Sequence, residues 1–587
     1  ALTDVMMPAG EKVWEPYQAA EAVYLVISGR VRVAMAAGAE TSTAPSWKGS
    51  TTGHGLQYEV SRGQTLGEVA VLTGAAHDSL AVCIRDSEFV RIPPRAMALI
   101  GARNPMVLFN MTKAMARRFR TGATQQTGHA NLVTIAVIPA NPETELFEFA
   151  RDLKDALNTV GRTMHINKDK MAALFGDSPP NYLSRSVYRS KVTASMSRLE
   201  EDCRFMILEG ECEANDPWTR ICVSQADCIL LVSRADSNPG VVLDEQNLLW
   251  DTREAAVEST ALGQAISLGA AYVELVLLHE KVKGVYPPPK NTKHWLASRP
   301  LLRCHHHIRC EQRGDFERLS RHLSNRAVGL VLGGGGSRGL AHLGVIKALN
   351  KEGIPIDKIG GTSQGAFMAA AFAQTLTVKG MMPKVTLLSA TIGSIRNLIR
   401  DLTLPMLSLF TGRNFSMALQ LSFGPGTDIE DLWLPYFCVT TNVTSADMQV
   451  QTRGCLHKYV QASMTVVGLL PPVYDDGDLL VDGGYCDNLP VDIMRAMGAQ
   501  VVVAVDVENK ENTLTDCTPF DSISGFHLLW HRLFGRLRTL WGAAEVKVPK
   551  YGAIVDALTY ISHARQLRGT QAKIDLYIRP PVEDYQL

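Results

Sequence analysis

The chain has 587 residues, 46% of them hydrophobic and 20% charged, a composition that is ordinary for a globular protein and excludes a disordered or fibrous one. A chain of this length predicts about two to four domains rather than a single core. Lysine plus arginine equals aspartate plus glutamate at 59 each, so the bulk charge gives no indication of a nucleic-acid partner.

Cysteine usage and hydropathy set two further limits. The eleven cysteines are scattered and odd in number, which favours a reducing, cytosol-facing environment over a secreted one. No run approaches the roughly 18 apolar residues of a membrane span. The chain opens on Ala1 with no signal-peptide pattern, so we expect a fragment of a longer protein, and a missing anchor here says nothing about the parent.

Residues 1–125 are predicted to be rich in β-structure. The run VYLVISGRVRVAM alternates and carries an expected turn glycine, Gly29, and the runs SLAVCI and SEFVRI have the composition of short strands. The helical stretch MVLFNMTKAMARRFR closes the unit. With GQTLGEVAVL between the strands, this order resembles the β-roll of cyclic-nucleotide-binding domains.

That resemblance implies that Gly67 and Glu68 match the Gly-Glu pair of the family's nucleotide site. Where the family's phosphate-binding arginine is expected, this chain has His77-Asp78-Ser79, and an aspartate repels a phosphate. We therefore expect a degenerate cyclic-nucleotide-binding-like domain, kept as a scaffold or docking module, and no cyclic nucleotide as ligand.

Residues 126–325 alternate strand and helix and predict a small α/β linker domain with parallel strands. We find no Gly-rich phosphate loop and no catalytic set in it. The stretch CHHHIRC, residues 304–310, lacks the second ligand pair that a closed zinc site needs. We expect this stretch to be a solvated loop and predict no metal site there.

Residues 326–587 carry the motifs that indicate chemistry. The strand AVGLVL runs into GGGGSRG and the helix LAHLGVIKALN, and the strand PIDKIG leads to GGTSQGAF and another helix. Strands separated by helices, with glycine turns at their ends, predict a doubly wound, mostly parallel sheet with its site at the strand C-termini.

Ser363 lies in a nucleophile-elbow pattern, Gly-x-Ser-x-Gly, bounded by Gly361 and Gly365. This pattern presents a serine hydroxyl on a sharp strand-to-helix turn that tolerates only small neighbours. The alternative is a serine that merely caps the following helix.

The glycine loop Gly333–Gly339 offers backbone N–H groups at a helix N-terminus, where they can bind an anion. In acyl transfer that anion would be the oxygen of the tetrahedral intermediate. Arg338 would hold the loop in place or attract an anionic head group.

The same loop also fits the dinucleotide fingerprint, with glycines at 334, 336 and 339 and Asp357 as the ribose-binding acid. A nucleotide-binding oxidoreductase is therefore an alternative function. The serine elbow on the very next strand favours the hydrolase.

Asp482 ends the apolar strand DLLVD, where a carboxylate could take the serine proton. The alternative is a turn aspartate before two glycines. A Ser-Asp-His hydrolase would also need a histidine. The candidates after Asp482 are His527, His531 and His563, and none of them lies in a recognisable catalytic motif. We expect His342 to be a packing residue.

Together these stretches resemble the patatin-like phospholipase family, whose motifs are G-G-G-x-[K/R]-G, G-x-S-x-G and D-G-[GA] in that order. They fall here on residues 334–339, 361–365 and 482–484. Stretches such as IEDLWLPYFCVTTNVT, YVQASMT and DGGYCDNLPV are similar to the neuropathy target esterase and fungal lysophospholipase subfamily.

The resemblance implies residues 326–587 as a patatin-like catalytic domain that hydrolyses lysophospholipids and phosphatidylcholine without metal or organic cofactor. It implies Ser363 as nucleophile, Asp482 as base, and an oxyanion hole formed by Gly334, Gly335, Gly336 and Arg338. It also implies residence at the cytosolic face of the endoplasmic reticulum membrane. Gln364 stands where the subfamily usually has isoleucine, so the acyl pocket is expected to differ.

The stretch 526–541 has apolar residues at helical spacing, with arginines off the apolar stripe. Such a basic amphipathic helix either lies in a membrane surface or packs on its own domain. It also supports another hypothesis, a catalytically silent, membrane-associated scaffold or sensor.

Overall fold

The computed structural model describes residues 2–35, 57–122, 132–175, 186–213, 216–242, 271–508 and 563–582, with isolated residues at 245, 246, 249, 524, 525 and 561. Within these ranges the strands form three sheets that follow one another along the chain. No helix in the described ranges is both long and apolar enough to cross a membrane.

The first sheet is antiparallel and packs its inner face around Trp14, Val31 and Phe89. The strand order is β1-β6-β3-β4, with β2 on β6 and β5 on β3. The elements are β1 Thr3–Met7, β2 Lys12–Trp14, β3 Val23–Met35, β4 Gln57–Ser61, β5 Thr65–Leu66, α1 Glu68–Thr73, β6 Ser79–Ile92, α2 Pro94–Arg103 and α3 Pro105–Gly122.

Two details of this unit correct the sequence prediction. Gly29 does not form a turn: it lies inside the continuous strand β3, at a register shift with β6, with φ of 94°. A Cβ there would lie 2.5 Å from Ser87 Cα, so the bulge needs glycine. The runs SLAVCI and SEFVRI are not two strands but the single strand β6.

The second sheet is parallel in all its pairs, as the alternating pattern predicted. Its order is β12-β11-β10-β7-β9-β8, and apolar clusters cover both faces. The elements are β7 Thr134–Pro139, α4 Phe147–Asn158, β8 Thr163–Ile166, α5 Lys168–Phe175, α6 Ser186–Asp202, β9 Phe205–Glu209, α7 Pro217–Gln225, β10 Cys228–Arg234, β11 Tyr272–His279, α8 Thr292–Ala297, β12 Cys304–Arg309 and α9 Arg313–Leu323.

The histidine stretch is not a solvated loop, and that prediction is wrong. Residues 304–309 form the edge strand β12, and His306 and His307 are buried. Their ring nitrogens find partners that make burial tolerable: His307 Nε2 lies 2.9 Å from the carbonyl oxygen of Glu430. The polar composition concealed the strand because these partners come from elsewhere in the chain.

The third sheet has a parallel centre and one antiparallel edge. Its order is β17-β18-β15-β14-β13-β19-β20, with β16 on β15. The elements are β13 Val328–Leu332, α10 Ala341–Lys351, β14 Lys358–Thr362, α11 Gln364–Thr375, α12 Val378–Gly393, α13 Ile395–Asp401, α14 Arg413–Phe423, β15 Tyr436–Asn442, β16 Asp447–Gln451, α15 Leu456–Ser463, β17 Val473–Asp475, β18 Asp478–Asp482, α16 Val491–Ala496, β19 Val501–Val505 and β20 Leu576–Ile578.

Helix α11 is the central helix of the third unit. Its residues 366–373, AFMAAAFA, are all buried, so the helix is apolar on every side and lies inside the domain. It starts directly after β14, which is flanked by β13 and β15. The sheet therefore holds the start of this helix at a fixed position.

Candidate active site

The turn between β14 and α11 holds Ser363 in a conformation with φ of 55° and ψ of −126°. Residues other than glycine rarely adopt a positive φ, and where they do the strain often has a functional reason. A Cβ on Gly361 or on Gly365 would approach the carbonyl oxygen of Leu332 to less than 3.0 Å. Both glycines are therefore required by the close passage of β13, which is what the elbow pattern predicted.

Sheet register brings Asp482 to the same level as Ser363. Thr362 pairs with Val439 on β15, and the next residue of β15, Thr440, pairs with Asp482 on β18. Asp482 ends its strand, as the sequence predicted, and β18 runs antiparallel to β15. It reaches the site across one intervening strand.

The two side chains are in direct contact. The Ser363 hydroxyl donates a hydrogen bond to Oδ2 of Asp482 at 2.7 Å. The other carboxylate oxygen of Asp482 accepts the N–H of Gly484 at 2.8 Å. One oxygen is thus fixed by the backbone and the other faces the serine.

The surroundings of Asp482 shift the pKa of its carboxyl towards neutral pH. The residue is only 6% exposed. Burial raises the pKa of its carboxyl to about 6, while the hydrogen bonds from Gly484 and Ser363 act in the opposite direction. Near neutral pH the carboxylate form therefore dominates, and its proton affinity is higher than that of an ordinary aspartate.

The glycine loop lies against the serine. A Cβ on Gly334 would lie 3.0 Å from Ser363 Cβ. The Gly334 N–H, however, donates to Asn488 Oδ1 at 3.1 Å, so this amide is already occupied. In the described part of the chain no acceptor pairs with the N–H groups of Gly335 and Gly336, which leaves these two as candidate oxyanion donors.

Arg338 is hydrogen-bonded to the glycine loop. Its side chain is buried, and its Nε donates to the carbonyl oxygen of Gly335 at 3.3 Å. Of the two roles considered for this arginine, the contact corresponds to holding the loop. The loop itself continues into a 3₁₀ turn, Gly336–Leu340, before α10 begins.

Two positioning residues were not singled out in the sequence. Asn488 accepts the Gly334 N–H and donates to the Gly334 carbonyl oxygen at 3.2 Å, and it also donates to Glu508 at 2.8 Å. Ser463 Oγ accepts the N–H of Ser363 at 3.0 Å. Both lie in stretches similar to the subfamily, YVQASMT and DGGYCDNLPV, but no motif marked their roles.

Gln364 follows the nucleophile and is buried against the end of the glycine loop. A Cβ on Gly339 would lie 2.9 Å from Gln364 Cβ, so the absence of a side chain at 339 makes room for this glutamine. The polar residue at 364 is therefore packed against the loop.

No histidine among the described residues bonds to Ser363 or Asp482. His342 is buried, as expected, and its Nε2 donates to the carbonyl oxygen of Gly333 at 2.9 Å. His563 lies 3.2 Å from Asp506. His527, His531 and the stretch 526–541 lie outside the described residues.

Asp357 is not placed to serve a dinucleotide. Its N–H donates to the carbonyl oxygen of Val328, at the start of β13, whereas the glycine loop follows the end of that strand. Its carboxylate is held by Arg321 at 2.7 Å. Because the acid and the loop lie at opposite ends of β13, the fingerprint is not assembled.

In the first unit, aromatic side chains lie beside the Gly67-Glu68 pair. His77 stacks on Trp14 with ring centroids 4.1 Å apart. A Cβ on Gly67 would lie 3.4 Å from the His77 ring and 3.5 Å from the Trp14 ring. Glu68 is itself buried.

Comparison with known proteins gives two family matches. Residues 131–329 match the Neuropathy Target Esterase family P-loop like domain, and residues 330–495 match the patatin-like phospholipase family. The second match includes Ser363, Asp482 and the whole glycine loop Gly333–Gly339. A solved cyclic nucleotide-binding domain from Methylobacillus flagellatus covers 21% of this chain and 64% of its own at 16% identity, with a TM-score of 0.17 that is too low to support an inference.

Several curated proteins are similar along almost the entire chain. Lysophospholipase NTE1 of Yarrowia lipolytica is 31% identical over 100% of this chain and 44% of its own length. Patatin-like phospholipase domain-containing protein 7 of Rattus norvegicus is 33% identical over 100% of this chain and 44% of its own. Patatin-like phospholipase domain-containing protein 6 of Homo sapiens is 33% identical over 98% of this chain and 42% of its own length.

The chain thus spans less than half the length of these curated relatives. The two family matches follow each other without a gap, in the order that the sequence motifs predicted. The chain belongs to the neuropathy target esterase family of patatin-like phospholipases.

Proposed function

We propose that the chain is a serine hydrolase that cleaves fatty-acyl esters of lysophospholipids and phosphatidylcholine. The observation that carries the proposal is the 2.7 Å hydrogen bond from the Ser363 hydroxyl to the buried carboxylate of Asp482. The relatives named lysophospholipase and patatin-like phospholipase support the class of substrate.

In the acylation step, Ser363 Oγ attacks the ester carbonyl carbon while Asp482 accepts the hydroxyl proton. The carbonyl oxygen becomes an oxyanion beside the N–H groups of Gly335 and Gly336. Loss of one such donor typically costs about 3–4 kcal/mol of transition-state stabilisation. Collapse of the intermediate breaks the ester bond, and the departing alcohol takes the proton from Asp482.

In the deacylation step, Asp482 accepts a proton from water as the water oxygen attacks the acyl-serine carbonyl. The second tetrahedral intermediate uses the same two amides. Its collapse releases the fatty acid and returns the proton to Ser363 Oγ. Each step leaves Asp482 ionised, so one carboxylate serves as base and then as acid.

Residues 392–407 carry a run of exposed apolar side chains, which we call the apolar face. Its members are all at least 41% exposed, with Met406 at 86%, and they are Ile392, Ile395, Leu398, Ile399, Leu402, Leu404, Met406 and Leu407. A soluble protein rarely exposes so many large apolar side chains together unless they meet a partner or a lipid. Arg396 and Arg400 are exposed on the same segment and could meet lipid phosphates.

Backbone hydrogen bonds connect the apolar face to Asp482, the partner of Ser363. The N–H of Leu409, just after the face, donates to the carbonyl oxygen of Gly468 at 2.8 Å. A few residues before Gly468, the carbonyl oxygen of Thr465 accepts the N–H of Asp482 at 2.9 Å. We therefore propose that the apolar face contacts the lipid surface and that substrate enters beside it.

The cysteines support a reducing compartment for this activity. The described cysteines are all free thiols. We propose residence at the cytosolic face of the endoplasmic reticulum membrane, on the basis of this thiol chemistry and of the family resemblance.

The proposed nucleophile is tested by covalent labelling with a fluorophosphonate probe. We expect the native chain to be labelled, Ser363→Ala to take no label, and Asp482→Asn to react much more slowly. Ser445→Ala, an exposed serine on the same domain, is the matched control and should label normally. A folded native chain that takes no label would instead favour the catalytically silent scaffold or sensor.

Membrane contact is tested separately with phosphatidylcholine vesicles. We expect Ile395→Asp combined with Met406→Asp to lose hydrolysis of vesicle-bound lipid while keeping hydrolysis of a soluble ester. Leu99→Asp, an exposed apolar residue on the first unit, is the control. Equal vesicle activity in all three chains would contradict the role given to the apolar face.

A further inference from the structure

Four side chains of metal-ligand type converge between the second sheet and its last helix. They are Glu274 on β11, Cys304 and His306 on β12, and His322 on α9. Their potential ligand atoms all lie within 4.8 Å of one another. None of these residues belongs to the active site described above.

The local geometry follows from strand register. Cys304 and His306 are two residues apart on β12, so their side chains share one face of the sheet. Glu274 is the register partner of Cys304 on β11, which brings the carboxylate beside the thiol. Helix α9 packs next to this sheet edge and supplies His322. The ligands that the sequence stretch 304–310 lacked therefore come from an adjacent strand and a later helix.

Four of the separations between these ligand atoms are within a few tenths of an ångström of those in a tetrahedral zinc site. With metal bonds of about 2.0–2.3 Å to nitrogen, oxygen and sulfur, neighbouring ligand atoms lie about 3.3–3.7 Å apart. Cys304 Sγ lies 3.4 Å from His306 Nε2 and 3.8 Å from His322 Nε2. Glu274 Oε2 lies 3.1 Å from His306 Nε2 and 3.2 Å from His322 Nε2.

The contacts of the two histidines also suit a shared metal ion. Each histidine presents its Nε2 to two groups at once, the thiol and the carboxylate. A single N–H points at one acceptor, whereas a metal ion is met by all four ligand atoms from different sides. Four ligand atoms of these types within 4.8 Å of one another form a set that one metal ion can bring together.

The burial of the cluster is compatible with a bound cation. Glu274 is 0% exposed and His306 is also buried. A buried carboxylate is costly unless opposite charge is close by, and Arg303 and Lys358 already act on Glu274 and Cys304. A Zn²⁺ ion held by one carboxylate, one thiolate and two neutral imidazoles would form a site with no net charge.

We propose that Glu274, Cys304, His306 and His322 bind one Zn²⁺ ion in a closed, structural site. All four positions of a tetrahedral ion are filled by protein, so no position is left for a reacting water. The ion ties β11, β12 and α9 together. Helix α9 also carries Arg321, whose guanidinium binds Asp357 at 2.7 Å, just before the strand that leads to Ser363.

The test measures metal in the full-length chain purified without added metal or chelator. We expect one equivalent of zinc by mass spectrometry in the native chain and none in Cys304→Ser or His322→Gln. Cys310→Ser and His294→Gln, a second cysteine of the same stretch and an exposed histidine, are the matched controls and should keep one equivalent.

Replacement of zinc by Co²⁺ gives a readout that does not depend on variants that fold poorly. The native chain should show the intense visible bands of tetrahedral cobalt and a thiolate-to-cobalt charge-transfer band, the latter absent in Cys304→Ser. A folded native chain that retains no zinc and binds neither Zn²⁺ nor Co²⁺ at one equivalent would overturn the proposal and leave a hydrogen-bonded cluster. Unchanged metal content in both ligand variants would overturn it equally.

Discussion

The side-chain oxygen of Ser463 accepts a hydrogen bond from the backbone N–H of Ser363 at 3.0 Å. The Ser463 hydroxyl in turn donates to the carbonyl oxygen of Val439 at 2.6 Å. Ser463 ends α15, so this one hydroxyl joins that helix to β15 and to the strained turn. A residue held at such a φ stores on the order of 1–3 kcal/mol, and contacts of this kind keep it there.

We expect Ser463→Ala to slow fluorophosphonate labelling by about 10–100-fold without preventing folding. The substitution leaves the Ser363 N–H without its buried acceptor, at a cost of roughly 1–3 kcal/mol, and each 1.4 kcal/mol in the barrier is tenfold in rate. The measurement is the second-order labelling rate beside the melting temperature, with Ser445→Ala as control. A variant that melts earlier but labels at the native rate would show that Ser463 has only a structural role.

The pH dependence of the proposed reaction should follow Asp482. Its pKa is raised to about 6, chiefly by burial, and only the carboxylate can accept the serine proton. Labelling should therefore be slow below pH 6, rise as the pH passes through about 6, and level off above it. Rates measured from about pH 5 to about pH 8 test this. An inflection near 4, typical of an exposed aspartate, would contradict the role given to burial.

The same raised pKa makes Asp482 a cost to stability at neutral pH. Between the unfolded value of 3.8 and the folded value of about 6, the folded chain binds more protons, so stability falls as the pH rises through this window. Above pH 6 the cost is constant, at up to about 3 kcal/mol. We expect Asp482→Asn to raise the free energy of unfolding at pH 8 by up to that amount while losing activity.

Urea denaturation at pH 8 and at lower pH checks whether the buried carboxylate of Asp482 lowers stability. The gain of Asp482→Asn over the native chain should shrink as the pH is lowered towards 4, because the native carboxyl is then protonated as well. A variant that is less stable than the native chain at pH 8 would mean that the hydrogen bonds of the carboxylate outweigh its burial.

The glycine motifs of the third unit could be identified in the sequence because the steric constraints that require glycine act within a few residues. The elbow glycines are needed wherever a strand passes close to a turn, and here Leu332 on β13 does so. The partner Asp482 was also identifiable from its motif. The strand pairing that brings Asp482 to the site could not be predicted, because the antiparallel pairing of β18 with β15 depends on residues distant in sequence.

The histidine stretch shows the opposite case. Three consecutive histidines and a nearby arginine favoured a loop, since burial of such side chains is costly without partners. Those partners are Glu274, His322 and the Glu430 carbonyl, none of which is adjacent in sequence. For the same reason Asn488 and Ser463 could not be assigned: their function lies in contacts made to backbone atoms that only the fold brings near.

Glycine-to-alanine substitutions in the third unit should distinguish positions where a Cβ collides with the backbone from positions where alanine only improves helix propensity. We expect Gly365→Ala to abolish labelling and to lower the free energy of unfolding by about 1–3 kcal/mol or more, because its Cβ would collide with Leu332 O. Gly344→Ala, in α10 with open space around it, is the matched control and should stabilise by up to about 1 kcal/mol. Thermal melts of both variants make the comparison, and equal effects would contradict the steric argument.

A buried ion network should hold the first sheet against the second. Asp227 lies 2.9 Å from the guanidinium of Arg30 on β3 and 3.8 Å from that of Arg85 on β6, and the backbone N–H of Thr134 donates to the same carboxylate at 3.0 Å. Burial opposes ionisation of Asp227, yet the two arginines and the amide bonds hold its pKa below the usual value. The carboxylate is thus charged and pairs with Arg30, while Arg85 also bonds to Glu200 at 2.9 Å.

We expect Asp227→Ala to lower the free energy of unfolding by about 3–5 kcal/mol, because it leaves the buried Arg30 guanidinium without its ion-pair partner. Asp236→Ala removes an exposed carboxylate paired with Arg234 and should cost about 1 kcal/mol or less. Urea denaturation of the two variants beside the native chain gives the difference. If Asp227→Ala costs no more than Asp236→Ala, the buried network contributes nothing beyond a surface ion pair, and apolar contacts must hold the first two units together.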